Sequence, residues 1–369
     1  MRALVAISLL SGGMNSLPAR YAKMVLADSP PGLALDVIAG LMWKTRARRP
    51  DALEQAWEAA GLALRQTADL GASVLSTLER TYPDYLREIA DPPVVLWIDG
   101  ATEALSSPCV AIVGSRDALP ASIEVARRLA RGLAEAGMTI VSGLARGIDT
   151  AAHEGALEGG GMTVAVLGSG LGRIYPAANE GLARRIARTG AIVTELPPDS
   201  PPHRVHFPMR NRIISGLSRG TIVVEASEDS GSLITANQAL DQNRSVMAVP
   251  GGTLAGMHRG CHALLKEGAR LVESVEDVLD ELNWPRQAQA RTADSLNHLQ
   301  LSDLEANMAE GELYSADQLA GVTGRTVPDL LTDLSLHELS GRVARTPGGQ
   351  FVRLSGAGSR AAREVKTRK

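Results

Sequence analysis

The hydrophobic positions along this chain change their period near residue 109. Before that point, residues 1 to about 90 read as short helices, broken by Pro18, by Ser29-Pro30-Pro31-Gly32 and by Pro50. After it, short apolar runs alternate with amphipathic segments, and the runs end in glycine-rich turns. Cys109 to Val113 is such a run and stops at Gly114-Ser115-Arg116. The segment Pro120 to Ala136 then sets Ile123, Ala126, Leu129, Ala130 and Leu133 on one face and Arg127, Arg128 and Arg131 on the other. That is the spacing of a helix with one side on a core. Further strands are predicted at Met138 to Val141, Thr163 to Leu167, Ala191 to Thr194, Thr221 to Val224 and Ser245 to Val249.

Strands alternating with helices of about 10–15 residues specify parallel βαβ units with right-handed crossovers. The expected fold class is α/β: an extended Rossmann-like, doubly wound sheet, with a small helical N-terminal domain and a C-terminal winged-helix domain. In such sheets a ligand meets the carboxyl ends of the strands, where helix N-termini face the loops. Pro285 to His298 is polar and linker-like. Beyond it, Ser315 to Gly321, a Thr323-Gly324 turn and Val327 to Leu339 read as helix-turn-helix, and Arg342 to Leu354 as a two-stranded wing around Gly348-Gly349. The expected domains are a helical (SAM-like) domain over 1–90, the Rossmann-like domain over 91–284, a linker over 285–299, the winged helix over 300–356 and a disordered basic tail over 357–369.

Composition narrows the classes of function. Hydrophobic residues make up 44% of the 369, enough for a large core without disulfides. Cys109 and Cys261 have no metal-ligand spacing; Cys109 reads as a buried thiol, and a reduced, cytoplasmic setting is expected. Ala3 to Leu10 follows Arg2 as an export signal would, but the run is short, lacks an Ala-x-Ala site and continues into a helical pattern. No run approaches the roughly 20 apolar residues that span a bilayer, so no membrane insertion is expected.

The formal net charge is −3, so a polyanion site must come from local placement of arginine. Between Asp199 and Glu225 there is no acid, while Arg204, Arg210, Arg212 and Arg219 all occur, three of them in or near the string Phe207-Pro208-Met209-Arg210-Asn211-Arg212. Guanidinium forks match phosphate oxygens, and a helix start adds backbone N–H donors. The alternative is that these arginines pair with Glu195 or Glu225 across the fold. Gly114-Ser115-Arg116 either lets backbone approach an anion or forms a plain turn capped by Ser115.

Gly168-Ser169-Gly170-Leu171-Gly172-Arg173 departs from the dinucleotide fingerprint, because Arg173 stands at its last glycine. The second strand also ends in Ser142-Gly143, without a ribose-binding acid, so no nucleotide cofactor is expected. Ser230-Gly231-Ser232 opens a helix as a phosphate nest or a simple N-cap. Asp149 and His153, four apart, read as an N-cap and a packed histidine rather than a metal site. Neither a nucleophile motif nor a Walker loop is found, so no catalytic residue and no metal are expected. Aromatic residues are only 3%, and between Cys109 and Val249 only Tyr175 and Phe207 could stack on bases. A single-strand site here would depend on backbone charge more than on stacking.

The ordered motifs resemble the DNA-processing protein A family, also called Smf. They are Gly114-Ser115-Arg116, Ser142 to Asp149, Gly170-Leu171 with Tyr175-Pro176, Phe207 to Arg212, Ser230 to Leu233 and Pro250-Gly251, with Tyr82-Pro83 and Asp91-Pro92-Pro93 upstream. The resemblance spans about residues 80 to 283. It implies a homodimer without catalytic activity that binds and protects single-stranded DNA and loads the recombinase RecA during natural transformation and recombination. The DNA contacts it implies are Gly114, Ser115, Arg116, Gly143, Arg146, Gly170, Arg173, Phe207, Arg210, Asn211, Arg212, Ser230, Gly231 and Ser232. Ala177 departs from the pattern, standing where some relatives carry Lys or Arg after Tyr-Pro.

From Ser302 to Leu354 there are eight acids against four arginines, and the would-be recognition helix carries Asp329, Asp333 and Glu338. Such a winged helix suits partner docking or a structural role better than phosphate contact. Two rival readings differ in class. A phosphoribohydrolase-like nucleotide enzyme would need acids after Pro250-Gly251-Gly252-Thr253, where Leu-Ala-Gly-Met stands. A ligand-responsive transcription factor would use the winged helix on duplex DNA.

Overall fold

A computed structural model describes residues 1–11, 50–254, 256–285, 307–309, 312–339, 343–346 and 349–353. The expected tail, the linker after Pro285 and residues 12–49 of the expected helical domain lie outside the described residues. The chain divides into two units, Met1–Arg286 and Gln287–Lys369.

The first unit begins with α1 (Arg2–Ser11), α2 (Pro50–Asp69), β1 (Ser73–Ser76), α3 (Asp84–Glu88) and β2 (Val95–Gly100). The alternating part follows: β3 (Cys109–Val113), α4 (Pro120–Glu135), β4 (Thr139–Ser142), α5 (Ile148–Glu158), β5 (Thr163–Val166), α6 (Glu180–Thr189) and β6 (Ala191–Thr194). It continues through α7 (His206–Leu217), β7 (Gly220–Val223), α8 (Gly231–Asp241), β8 (Ser245–Ala248), α9 (Arg259–Lys266), β9 (Arg270–Leu271) and α10 (Val275–Glu281).

The strands form one nine-stranded sheet in the order β1-β2-β6-β5-β4-β3-β7-β8-β9, parallel from β6 to β9 with β1 and β2 antiparallel at one edge. The sheet therefore takes in Ser73 to Ser76, upstream of the expected boundary at 91.

Both faces are covered, which is why these strands read as unbroken apolar runs. In β3, Ala111 and Val113 join Ile213, Ile214 and Leu217 of α7 and Ala236 and Ala239 of α8 on one face. Val110 and Ile112 turn to the other face, against Ala126, Leu129 and Leu133 of α4 and Ala152 of α5. The division by alternate residues is the pleat itself. At the β6 end the second face is closed by α6 and by α1, whose Leu4, Val5, Ala6 and Ile7 are buried in one cluster with Trp97, Ala165 and Ile192.

The winding order sets the site. The chain lays down β3, β4, β5 and β6 in one direction, then returns through α7 and starts again with β7 on the other side of β3. A crevice opens where the loops after β3 and β7 part in opposite directions, the ligand position of doubly wound sheets.

The second unit carries β10 (Leu313–Tyr314), α11 (Ala316–Thr323), α12 (Val327–Leu339), β11 (Val343–Arg345) and β12 (Phe351–Arg353). Ser315 and Gln318 form a capping box at the start of α11, and Gly324 ends it with a left-handed φ of 69°. Leu319, Leu330, Leu334, Val343 and Phe351 make its core, and β11 pairs antiparallel with β12 as the expected wing.

Candidate nucleic-acid interface

The crevice between β3 and β7 is a cleft of about 640 Å³. Gly114, Ser115 and Arg116 line it from the loop after β3, and Ser230, Gly231 and Ser232 from the start of α8. Phe207, Arg210 and Asn211 line it from the first turns of α7. A smaller adjoining recess shares Arg116, Phe207 and Arg210 and adds Gly143 and Arg146. Eleven of the fourteen expected contacts thus meet at one rim of the sheet.

Arg210 is the deepest cation there. Its side chain is buried, and Nη1 donates to the carbonyl of Val166 at 2.9 Å. The guanidinium sits against Gly143, where a Cβ would fall 1.6 Å from Nη1, so any side chain at that position would displace Arg210. Asp149 balances the charge. It is buried and accepts the N–H groups of Gly143 and Ala145 at 3.1 and 3.3 Å. Burial raises the Asp149 carboxyl, against the pull of Arg210 and those N–H donors. Burial lowers Arg210 to about 10, with Asp149 opposing and Arg116 adding to the fall, which leaves it charged at neutral pH.

The expected N-cap role of Asp149 is corrected. Gly147 caps α5, at φ 74°, and Asp149 instead holds the turn between β4 and α5. His153 is the expected packed histidine, fully buried with Nδ1 2.7 Å from Thr163 Oγ1.

Arg116 is exposed, with its guanidinium 5.4 Å from the centre of the Phe207 ring, a cation–π contact. Phe207 in turn lies 5.6 Å from Tyr175 at a tilt of 51°, so the two aromatics available for stacking stand side by side at the cleft. Arg204 is exposed in the cleft wall. Among the described residues neither Arg116 nor Arg204 has a carboxylate partner. Arg146 pairs with Asp117 at 3.4 Å, an exposed contact worth well under 1 kcal/mol. At the start of α8, Ser230 Oγ accepts from Ser232 N–H, and Asn211 reaches the Gly231 carbonyl from α7.

Three expected contacts do not line the cleft. Arg212 leaves α7 two residues after Arg210, about 200° around the helix, and so faces away. Its Nη2 donates to Glu195 at 2.6 Å and its Nε to Asp91 at 3.4 Å, with the Arg212 side chain 13% exposed. Of the two acids expected as alternative partners, Glu195 takes Arg212. Among the described residues Glu225 takes no arginine and accepts instead from Leu119 N–H. Gly170 packs against the loop after β6, donating to Ser200 O at 2.9 Å, and Arg173 is exposed outside both cavities. Sequence reasoning in turn omitted Arg204 and Tyr175 from the site. Arg204 lay in the acid-free window, and Tyr175 in the Tyr-Pro motif, which has a cis peptide bond.

Comparison with known proteins adds to this geometry. Residues 73–283 match the family model for DNA recombination-mediator protein A, and residues 306–349 match the DprA winged helix domain. The chain belongs to the DNA recombination-mediator protein A family. Among its relatives, DNA processing protein DprA of Streptococcus pneumoniae is 47% identical over 209 residues, covering 57% of this chain and 74% of that one. Protein Smf of Escherichia coli is 42% identical over 282 residues, 74% of this chain and 75% of that one. The X-ray structure of the S. pneumoniae DprA superposes with a TM-score of 0.64 at 39% identity, covering 74% of this chain and 95% of that chain. A Helicobacter pylori DNA processing protein A structure, concerned with its single-stranded DNA binding mode, superposes with a TM-score of 0.52 at 32% identity, covering 57% of this chain and 95% of that chain. In DprA terms, the matched region holds the whole cleft, and the Pro250-Gly251-Gly252 turn of the rival hydrolase reading is not among its lining residues.

Proposed function

We propose that the cleft holds the sugar-phosphate backbone of single-stranded DNA and that the protein mediates recombination by presenting that strand to a recombinase such as RecA. The observation that carries the reading is the convergence of Arg116, Arg204 and Arg210 on one cleft, two of them without a carboxylate partner among the described residues. Phosphates meet the guanidinium groups and the N-terminus of α8, while a base rests on Phe207 beside Tyr175. These contacts read backbone, not base edges, so binding is indifferent to sequence. Support also comes from the H. pylori relative, whose structure concerns single-stranded DNA. Homodimerisation, in a cytoplasmic setting and without catalysis, completes the reading, and light scattering of the full chain tests the dimer.

Binding of poly-dT and of a duplex, each across a salt series, tests the cleft. Single strands are expected to bind more tightly, and Arg116→Ala to weaken poly-dT about tenfold and shrink the log–log salt slope by about 0.7. A variant with unchanged slope and affinity would remove the cleft from consideration.

A further inference from the structure

Arg116 works only if the loop that carries it keeps one shape; Ile148 N–H holds the Ser115 carbonyl at 3.1 Å, and the N–H groups at both ends of the loop donate to a single residue outside the cleft. Ser115 N–H donates to the main-chain carbonyl of Glu225 at 2.8 Å. Leu119 N–H donates to Glu225 Oε2 at 3.0 Å. Both ends of the stretch from Ser115 to Leu119 are therefore fastened to the second residue after β7, across the switch point. Within the loop, only Asp117 N–H to Ser115 Oγ adds a side-chain tie, at 3.2 Å.

Glu225 is an improbable residue for that position on packing grounds. It is fully buried, and its chain neighbours Val223, Val224 and Ala226 are buried and apolar. A carboxylate there is costly unless its oxygens meet donors. One oxygen meets Leu119 N–H and lies 3.9 Å from His258 Nε2, while Oε1 has no hydrogen-bond partner among the described residues. His258 is itself buried, its ring set against the backbone at Gly251, and its Nδ1 also has no partner among the described residues. The side chain thus joins the loops after β3, β7 and β8 without lining the cleft.

We propose that Glu225 is a positioning residue for DNA binding: its carboxylate and carbonyl hold the Ser115–Leu119 loop so that Arg116 stands over Phe207 at the cleft. The inference rests on the cleft being the single-strand site. It assigns to Glu225 an effect on affinity that passes through Arg116 alone.

A double-mutant cycle in the full-length protein tests this, with poly-dT anisotropy read across a salt series and folding checked by thermal melting. Glu225→Ala is expected to weaken poly-dT about tenfold, the scale of one lost hydrogen bond to a charged group. In that background Arg116→Ala should cost less than about twofold more, because coupled groups do not add. Glu225→Gln, which keeps an oxygen for Leu119 N–H, should recover most of the loss. If Glu225→Ala does not fold, Leu119→Pro enters the same cycle. It deletes the N–H donor at a φ of −63° that proline adopts, and the leucine side chain it replaces is exposed. Full additivity of Arg116→Ala with either variant overturns the proposal while leaving the cleft as the binding site. A wild-type slope in Arg116→Ala alone removes the cleft reading, and the inference with it.

Discussion

Helix α7 presents arginine to two regions that use it in opposite ways. On the cleft side, Arg210 is balanced by one buried carboxylate, Asp149, and the cations in front of it, Arg116 and Arg204, meet none among the described residues. On the far side, Arg212 is enclosed by Glu195 and Asp91. Nearby, Arg219 lies 5.7 Å from the Tyr85 ring and 5.3 Å from Trp284, and Arg244 lies 4.4 Å from Tyr85 and donates to its carbonyl. Both regions are rich in guanidinium. The first sets two guanidinium groups without a carboxylate partner among the described residues at a cleft, whereas Arg212 and Arg244 in the second are paired with acids, so a count of arginines along the sequence overstates the binding surface.

The largest expected effect breaks the far side alone. Arg212→Ala leaves Glu195 buried without its partner, and removing one member of a buried pair costs about 3 kcal/mol of folding stability. Denaturant unfolding measures that loss. The poly-dT salt slope of the folded variant should stay at the wild-type value, since Arg212 does not line the cleft. A smaller slope would mean that the two sides of α7 are not separate.

A second effect, about half as large per pH unit, comes from the packing beneath the cleft. His153 is buried, and burial together with Arg210 lowers it from 6.5 to about 3. Between those values the unfolded chain takes up a proton that the folded chain refuses. Stability present above pH 6.5 is therefore lost as pH falls toward 3, at about 1.4 kcal/mol per pH unit for one proton. Unfolding free energies at pH 7, 6 and 5 measure the slope, and His153→Gln should flatten it. An unchanged slope would assign the acid sensitivity to other groups.

The central strands β3 to β8 were legible because they are apolar on both faces and several end at glycines, whereas β1, β2 and β9 at the edges were not read from the pattern. Cys109 to Val113 and Ala191 to Thr194 begin and end where the pattern predicts, and the other expected strands shift by a residue at most at each end. The cleft was legible for a related reason: its loops follow strand ends, and the switch between β6 and β7 brings those ends together. What a linear string hides is direction. Arg210 and Arg212 stand two apart in one motif, yet helical geometry sends them to opposite sides. Glu225 was hidden more deeply. It was weighed as a partner for arginine, whereas its oxygen serves a backbone N–H at Leu119, far away in sequence. A hydrogen bond to main chain leaves no residue-type signature to read.

The smallest expected effect concerns the second unit, where basic residues are already outnumbered. On α12, Leu330 and Leu334 enter the core, while Asp329 and Glu338 are exposed on what a duplex-reading winged helix would turn toward phosphates. Asp333 is paired with Arg325 at 2.6 Å, which withdraws one of the few cations of the unit. Removing residues 287–369 should therefore change poly-dT affinity by less than about twofold, with no loss of salt slope, because slope counts neutralised phosphates. A fall in slope on removal would place phosphate contacts on the winged helix despite its acids, and the contrast drawn across α7 would no longer account for the whole of binding. An unchanged slope leaves the unit free to meet a partner through Val322 and Leu331, apolar side chains that are 63% and 40% exposed.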